Sequence, residues 1–158
     1  MTLFTLGWQL LVILLLVLAN GFFVAAEFAI VKIRASQLKP LLKTGDWRVP
    51  MALRAVSNLD ACLSATQLGI TLASLGLGWL GEPFLAHWLQ PILRDNFGIQ
   101  SAAALHTITF AVAFSVITFL HIVFGELAPK SLAIQRPRGV SLWVSAPLLV
   151  FYLSLIHI

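Results

Sequence analysis

The chain has 158 residues, of which 59% are hydrophobic and 10% are charged, and this balance excludes an ordinary soluble domain. Its ten Lys and Arg lie beside apolar runs, as is typical of the cytoplasmic side of a membrane, and no motif for RNA or DNA binding is present. The single cysteine, Cys62, excludes an internal disulfide and a cysteine metal cluster, and we assign it to packing. The sequence predicts a membrane protein that binds no nucleic acid.

The first apolar run extends from about Leu3 to Val31. At roughly 1.5 Å per residue it is long enough to cross a hydrocarbon core about 30 Å thick. A secretory signal peptide is the alternative, but the run is too long and no Lys or Arg precedes it. Six of the ten basic residues follow between Lys32 and Arg54, so by the positive-inside rule this segment is cytoplasmic and the N-terminus lies outside.

The basic segment is predicted to form short helices at the inner membrane surface. Pro40, Gly45 and Pro50 interrupt it, which argues against one long helix. Its leucines and Met51 are suited to contact with lipid, while its Lys and Arg side chains are suited to anionic phosphates.

A second span is predicted from Ala61 to Leu80. It is rich in small residues that let another helix approach closely, namely Gly69, Ala73, Gly76 and Gly78. The following residues contain Pro83, Trp88 and Pro91, and we expect them to form a short amphipathic hairpin at the outer interface.

A third span is predicted from about Ala102 to Phe124 and ends before Lys130, Arg136 and Arg138, which places the C-terminal part in the cytoplasm. The apolar stretch after Arg138 qualifies as a fourth crossing on hydropathy alone. Its last six residues, LSLIHI, match the translation of a transposon end used in sequencing libraries. We therefore expect the tail 153–158 to be non-native, with a natural apolar tail as the alternative.

The stretch from His121 to Arg138 places a proline and an acid in an apolar run. Pro129 has no N–H, so in a helix the carbonyl of Gly125 loses its partner and needs another one in a membrane. Glu126 adds a carboxylate beside it, and together these are the hard oxygen ligands that Mg²⁺ or Na⁺ prefers. The alternative is that Glu126 only pairs with Lys130 four residues later.

Polar residues in the other two spans favour the ion site. Asn20 lies in the first span, and an amide there needs a partner. Gln67, Thr71 and Ser74 recur at helical spacing in the second span. Each has a structural explanation, because such side chains often bond their own helix backbone or hold helices together. Glu27 is a competing acid, which we assign to an interfacial salt bridge.

Three segments, "NGFFVAAEFAIVKIRASQL", "NLDACLSATQLGITLASLGLGWLGEP" and "VFGELAPKSLAIQRP", resemble the CNNM/CorC (DUF21) transmembrane domain of magnesium and cobalt efflux proteins, also labelled hemolysin-like. The resemblance covers residues 1–152. It implies an all-α membrane protein with three transmembrane helices plus short juxtamembrane helices, which forms a homodimer. Full-length relatives continue into cytoplasmic CBS domains that bind ATP·Mg²⁺. Such domains require an odd number of crossings, so the stretch after Arg138 is assigned to a juxtamembrane helix.

The resemblance also implies a ligand set for a dehydrated Mg²⁺. The acid of the "GELxPK" motif falls on Glu126, and the first-helix ligand falls on Asn20. In the second helix this chain has "GITLAS" where many relatives carry Asn, so Ile70 cannot serve, and Ser74, with Thr71, would substitute. Gly125 and Gln67 complete the candidate metal-ligating residues.

The function implied is divalent cation transport across the cell membrane, namely Mg²⁺ efflux, with Na⁺ entry as a candidate coupling. The alternative is a Mg²⁺-responsive membrane scaffold or regulator of another transporter. An enzyme is not expected, because no nucleophile–base pair or metal-hydrolase spacing is present.

Overall fold

The computed structural model describes residues 3–156, and it describes the side chains of residues 7–155. The regular structure in this part is entirely helical. In chain order its elements are α1 (Leu3–Lys32), α2 (Ala35–Leu38), a 3-10 helix (Lys39–Thr44), α3 (Arg48–Ser57), α4 (Leu59–Phe97), α5 (Ala102–Leu120), a π-helix (His121–Leu127), α6 (Ala128–Gln135) and α7 (Pro137–Ile156).

Four helical stretches in the described residues are long and apolar enough to cross a membrane: Gly7–Lys32, Leu59–Phe97, Ala102–Gln135 and Pro137–Leu155. They confirm the predicted all-α membrane protein, and the first three overlap the three predicted spans. The fourth is α7, which qualifies by its length and composition. Its assignment to the membrane surface, and the nature of residues 153–158, stay predictions.

The basic segment forms the predicted short helices. The 3-10 helix ends at Thr44, and it is followed by Gly45, whose φ of 72° lies in the left-handed region that glycine adopts without strain. Pro50 does not interrupt the chain, because it lies in the first turn of α3, where a missing N–H leaves no helical bond unmade. The break between the two helices is therefore at Gly45 rather than at Pro50.

A cation–π contact from Arg48 connects this segment to α7. The guanidinium of Arg48 donates to both carboxylate oxygens of Asp46, the shortest bond being 2.8 Å, and it lies 5.1 Å from the centroid of the Trp143 ring. The hydrogen bonds from Arg48 lower the pKa of Asp46. The resulting stabilisation is complete above the ordinary carboxyl pKa and is lost as the pH falls through the lowered pKa.

The prediction of a hairpin between residues 81 and 100 is wrong, because α4 continues through Pro83 and Pro91 to Phe97. The residue that follows the helix, Gly98, has a left-handed φ of 63°. Its 39 residues span about 58 Å, well beyond a hydrocarbon core of about 30 Å. Gly81 is buried against Ile117 of α5. Packing on α5 therefore supports α4 just before the first proline, and each proline removes only one helical hydrogen bond.

Close packing of α1 on α4 depends on two of the small residues identified in the second span. A Cβ at Gly69 would lie 2.6 Å from the ring of Phe23, and one at Gly76 would lie 3.2 Å from Leu16. Phe23 in turn packs against Phe151 of α7, with ring centroids 4.9 Å apart. Gly78 differs, because a Cβ there would meet nothing within 4 Å.

Replacing Gly69 with alanine should lower the free energy of unfolding by about 1–3 kcal/mol, because the new methyl group displaces Phe23. Gly78→Ala is the matched control in the same helix. It should raise stability by about 0.5–1 kcal/mol, since alanine favours a helix and the site is open. Thermal unfolding of the two variants in detergent checks this, and equal melting temperatures would contradict the packing.

The orientation can be tested with cysteines on a background in which Cys62 is replaced by alanine. Lys43 and Gln100 are both exposed, one in the 3-10 helix and one between α4 and α5. If the basic segment is cytoplasmic, Lys43→Cys should resist an impermeant thiol reagent added to intact cells, whereas Gln100→Cys should react completely. The reverse pattern would overturn the predicted topology.

Candidate oxygen site between three helices

Asn20 is the buried centre of a group of polar atoms, in which Ser74 and His121 are half-buried. It is 2% exposed, and its Nδ2 donates a hydrogen bond of 2.9 Å to the carbonyl oxygen of Gly125. The hydroxyl of Ser74 donates to Asn20 Oδ1 at 3.2 Å. Three of the six predicted ligands, from α1, α4 and the π-helix, therefore meet at one place. We call Asn20, Ser74, His121 and Gly125 the polar cluster.

The carbonyl of Gly125 is available because of the backbone around it. Pro129 cannot donate the helical bond that this oxygen would otherwise accept. The chain just before it adopts a π-helix, in which the N–H of Ala128 donates to the oxygen of Val123, five residues earlier. The structure thus confirms the locally opened helix, and it identifies Asn20 as the partner of the freed oxygen.

Two glycines allow α1 to approach the π-helix. A Cβ at Gly21 would lie 3.0 Å from Pro129 Cγ. A Cβ at Gly125 would lie 2.9 Å from His121 Cδ2 and 3.0 Å from Asn20 Nδ2. A larger residue at either position would therefore push the amide of Asn20 away from the carbonyl.

His121 is a member of the polar cluster that the sequence analysis missed. Its Nε2 lies 3.3 Å from the hydroxyl oxygen of Ser74, and which atom donates depends on the imidazole tautomer. The sequence did contain a signal for it, namely the imidazole of His121 inside an apolar run. A polar residue in a membrane span usually has a specific partner.

The other three predicted ligands, Gln67, Thr71 and Glu126, form no side-chain hydrogen bond to the polar cluster in the described part of the chain. Gln67 and Thr71 are exposed, and the hydroxyl of Thr71 donates to the backbone oxygen of Gln67, four residues earlier. Glu126 is also exposed, and within residues 7–155 it forms no hydrogen bond or ion pair. Its role as a ligand stays a prediction.

Neither the Glu126–Lys130 salt bridge nor a salt bridge of Glu27 is formed in the described part of the chain. The ion pair there joins Asp46 to Arg48. Lys130 does not pair with Glu126, because its ammonium lies 4.5 Å from the centroid of the Phe28 ring. Glu27 also has no ion-pair partner there. A local salt bridge therefore does not explain why Glu126 is in an apolar helix.

The polar cluster offers oxygen ligands rather than a preformed set of acids. Among the described residues, no three His, Cys, Asp or Glu side chains lie close enough together to hold a metal ion. Asn20 and Ser74 supply an amide and a hydroxyl oxygen, and the Gly125 carbonyl has a second lone pair beyond the one bonded to Asn20. These are the neutral oxygen ligands that hard cations accept.

The fold and the polar cluster together define a class, that of multi-pass helical membrane domains with polar groups held between their spans. Comparison with known families gives a match to the Cyclin M transmembrane N-terminal domain, CNNM, over residues 10–157. The chain belongs to this family, which confirms the resemblance found in its sequence motifs.

Several bacterial proteins are similar to this chain. It is 51% identical over 144 residues to UPF0053 protein YugS of Bacillus subtilis, covering 91% of this chain and 33% of the relative. It is 47% identical over 147 residues to YhdT of the same organism, covering 93% and 32%. UPF0053 protein sll0260 of Synechocystis is 35% identical over 137 residues, covering 87% and 30%. The chain thus spans about a third of the length of the curated relatives it matches.

Proposed function

We propose that this domain carries a divalent cation, Mg²⁺ above all, across the cell membrane as the transmembrane part of a longer protein. The observation that supports this most is the polar cluster, in which α1, α4 and the π-helix each contribute an oxygen at membrane depth. Polar groups inside a membrane are costly, and they are typical of ion pathways when they come from several spans.

The ligand types favour a hard cation. Mg²⁺ prefers oxygen ligands and gives up its water reluctantly, so a protein site needs a carboxylate to offset dehydration. Glu126 follows Gly125 directly and has no partner in the described part of the chain. We propose it as the acidic ligand, beside the amide of Asn20, the hydroxyl of Ser74 and the Gly125 carbonyl. Thr71 and Gln67 remain secondary candidates one and two helical turns from Ser74.

The direction and assembly of transport are proposals that the sequence resemblance supports. We propose efflux of Mg²⁺, with Na⁺ entry as the candidate coupling, by a homodimer in a lipid membrane. The N-terminus would lie outside and the C-terminus in the cytoplasm, where CBS domains of the full-length chain would follow. That the relatives are about three times as long as this domain is consistent with further domains.

A second function is a Mg²⁺-responsive scaffold or regulator of another transporter. One observation favours it: Asn20, Ser74 and the Gly125 carbonyl already satisfy one another by hydrogen bonds, as a network that only holds helices together would.

Mg²⁺ flux in proteoliposomes of the purified full-length protein separates the two functions. Transport predicts a Mg²⁺-dependent flux above that of protein-free liposomes, and it predicts that Ser74→Ala reduces this flux. A regulator predicts binding of Mg²⁺ without flux. That second result, obtained with correctly folded dimer, would exclude the transport proposal.

A further inference from the structure

A second feature of α4 adjoins the polar cluster and shares Ser74 and His121 with it. A cavity of about 380 Å³ separates α4 from α5 and the start of the π-helix. One wall consists of Ser74, Gly78 and Glu82, which follow one another at intervals of four residues and so share one face of α4. The opposite wall includes Phe110, Phe114 and His121.

The two ends of the cavity differ in character. Ser74 and His121 are within hydrogen-bonding distance of each other, and Ser74 also bonds Asn20, so this end opens onto the polar cluster. Glu82 lies eight residues further along α4, which is about 12 Å along the helix axis. It is half-buried and forms no hydrogen bond or ion pair within residues 7–155.

The position of Glu82 along α4 fits the outer surface of the membrane. It lies 23 residues beyond Leu59, where α4 begins, and therefore about 35 Å from the predicted cytoplasmic end. A hydrocarbon core is about 30 Å thick. In the predicted orientation, the cavity would extend from the outer boundary of the core inward to Ser74.

We propose that this cavity is the outer vestibule of the cation path and that Glu82 is the carboxylate that concentrates cations in it. The inference rests on the proposed cation transport.

The volume of the cavity exceeds the roughly 200 Å³ of a Mg²⁺ ion with six waters, at about 30 Å³ per water. The aromatic walls have a low dielectric constant, which strengthens the field of a single carboxylate. No Lys or Arg is among the residues that line the cavity in the described part of the chain.

Gly78 keeps the vestibule wide. It lies midway between Ser74 and Glu82, and a Cβ built on it would meet nothing within 4 Å. A cysteine therefore fits there, about one helical turn from the carboxylate, where side chains four residues apart are roughly 5–6 Å from each other. It can report both access from outside and the sign of the local charge.

The test uses Gly78→Cys in the full-length protein, in intact cells, on a background without other cysteines. Two impermeant methanethiosulfonate reagents, one cationic and one anionic, are added outside, and each rate is divided by the reagent's rate with a free thiol. The cationic reagent should react about tenfold faster than the anionic one. Glu82→Gln should remove this preference, and external Mg²⁺ should slow the reaction only when Glu82 is present. Leu75 is 67% exposed on α4 and is absent from the cavity lining, so we expect it to face lipid. Leu75→Cys should therefore not react.

Each outcome decides between the alternatives. No reaction of Gly78→Cys from outside, in protein that reacts once unfolded, would overturn the vestibule. The same cation preference in Glu82→Gln would remove the carboxylate from it. Measured Mg²⁺ flux without labelling leaves the transport proposal intact and refutes this inference. Glu82-dependent labelling without flux refutes transport, and it leaves a cavity that attracts cations from outside but is not part of a cation path.

Discussion

Replacing Glu126 with glutamine should abolish Mg²⁺ flux by the full-length protein while the protein still inserts and dimerises. The substitution keeps the size and one carbonyl oxygen but removes the charge that offsets dehydration of a divalent cation. We expect the apparent affinity for Mg²⁺ to fall at least about tenfold, since charge-assisted contacts contribute about 1.5–3 kcal/mol each. Calorimetric titration and proteoliposome flux measure the two effects separately.

Lys130→Gln is the matched control for Glu126→Gln. The ammonium of Lys130 lies over Phe28 and not beside Glu126, so this variant should transport nearly normally. If Glu126 acted only through an exposed ion pair with Lys130, both substitutions would have equal effects of no more than about 1 kcal/mol. Equal and mild losses of flux would therefore remove Glu126 from the proposed site.

The expectation for Glu126 is supported by its surroundings. It lies in the span Ala102–Gln135, it is exposed, and the described part of the chain gives its carboxylate no partner. A charged group at membrane depth costs several kcal/mol unless water, a cation or another charged group meets it. This cost makes a purely structural role unfavourable.

Replacing Asn20 with aspartate should make the stability of the protein strongly dependent on Mg²⁺. Asn20→Asp exchanges the amide donor for an acceptor, so two oxygens would face each other where a hydrogen bond of 2.9 Å now joins Asn20 to Gly125. Without Mg²⁺ the free energy of unfolding should fall by about 1–3 kcal/mol, because a buried carbonyl loses its donor. A bound cation would be coordinated by both oxygens and would restore stability in proportion to its binding.

Asn20→Leu is the control, because it removes the same donor without adding a ligand. Thermal unfolding of both variants should be compared in a chelator and in saturating Mg²⁺, with a monovalent salt at equal ionic strength as a second reference. Mg²⁺ should raise the melting temperature of Asn20→Asp and leave that of Asn20→Leu unchanged. If Mg²⁺ stabilises neither variant, the polar cluster only holds helices together.

The class of protein and part of the site could be predicted from properties of neighbouring residues in the sequence. The apolar run of α1 predicts a membrane span however the helix packs against its neighbours, because its length and composition are properties of the sequence. The left-handed end of the 3-10 helix requires Gly45, and the loss of a partner for the Gly125 carbonyl follows from the covalent structure of Pro129. Each of these depends on a few neighbouring residues.

Contacts between distant residues were decided only by the tertiary structure. Asn20 is 105 residues from the carbonyl that it bonds, and His121 reaches Ser74 across 47 residues. A sequence shows that a polar group in a membrane needs a partner, but the partner depends on which helix faces pack together. The same reason explains the length of α4. Gly81 packs on Ile117, and the helix continues beyond Pro83, although proline usually ends or kinks a helix.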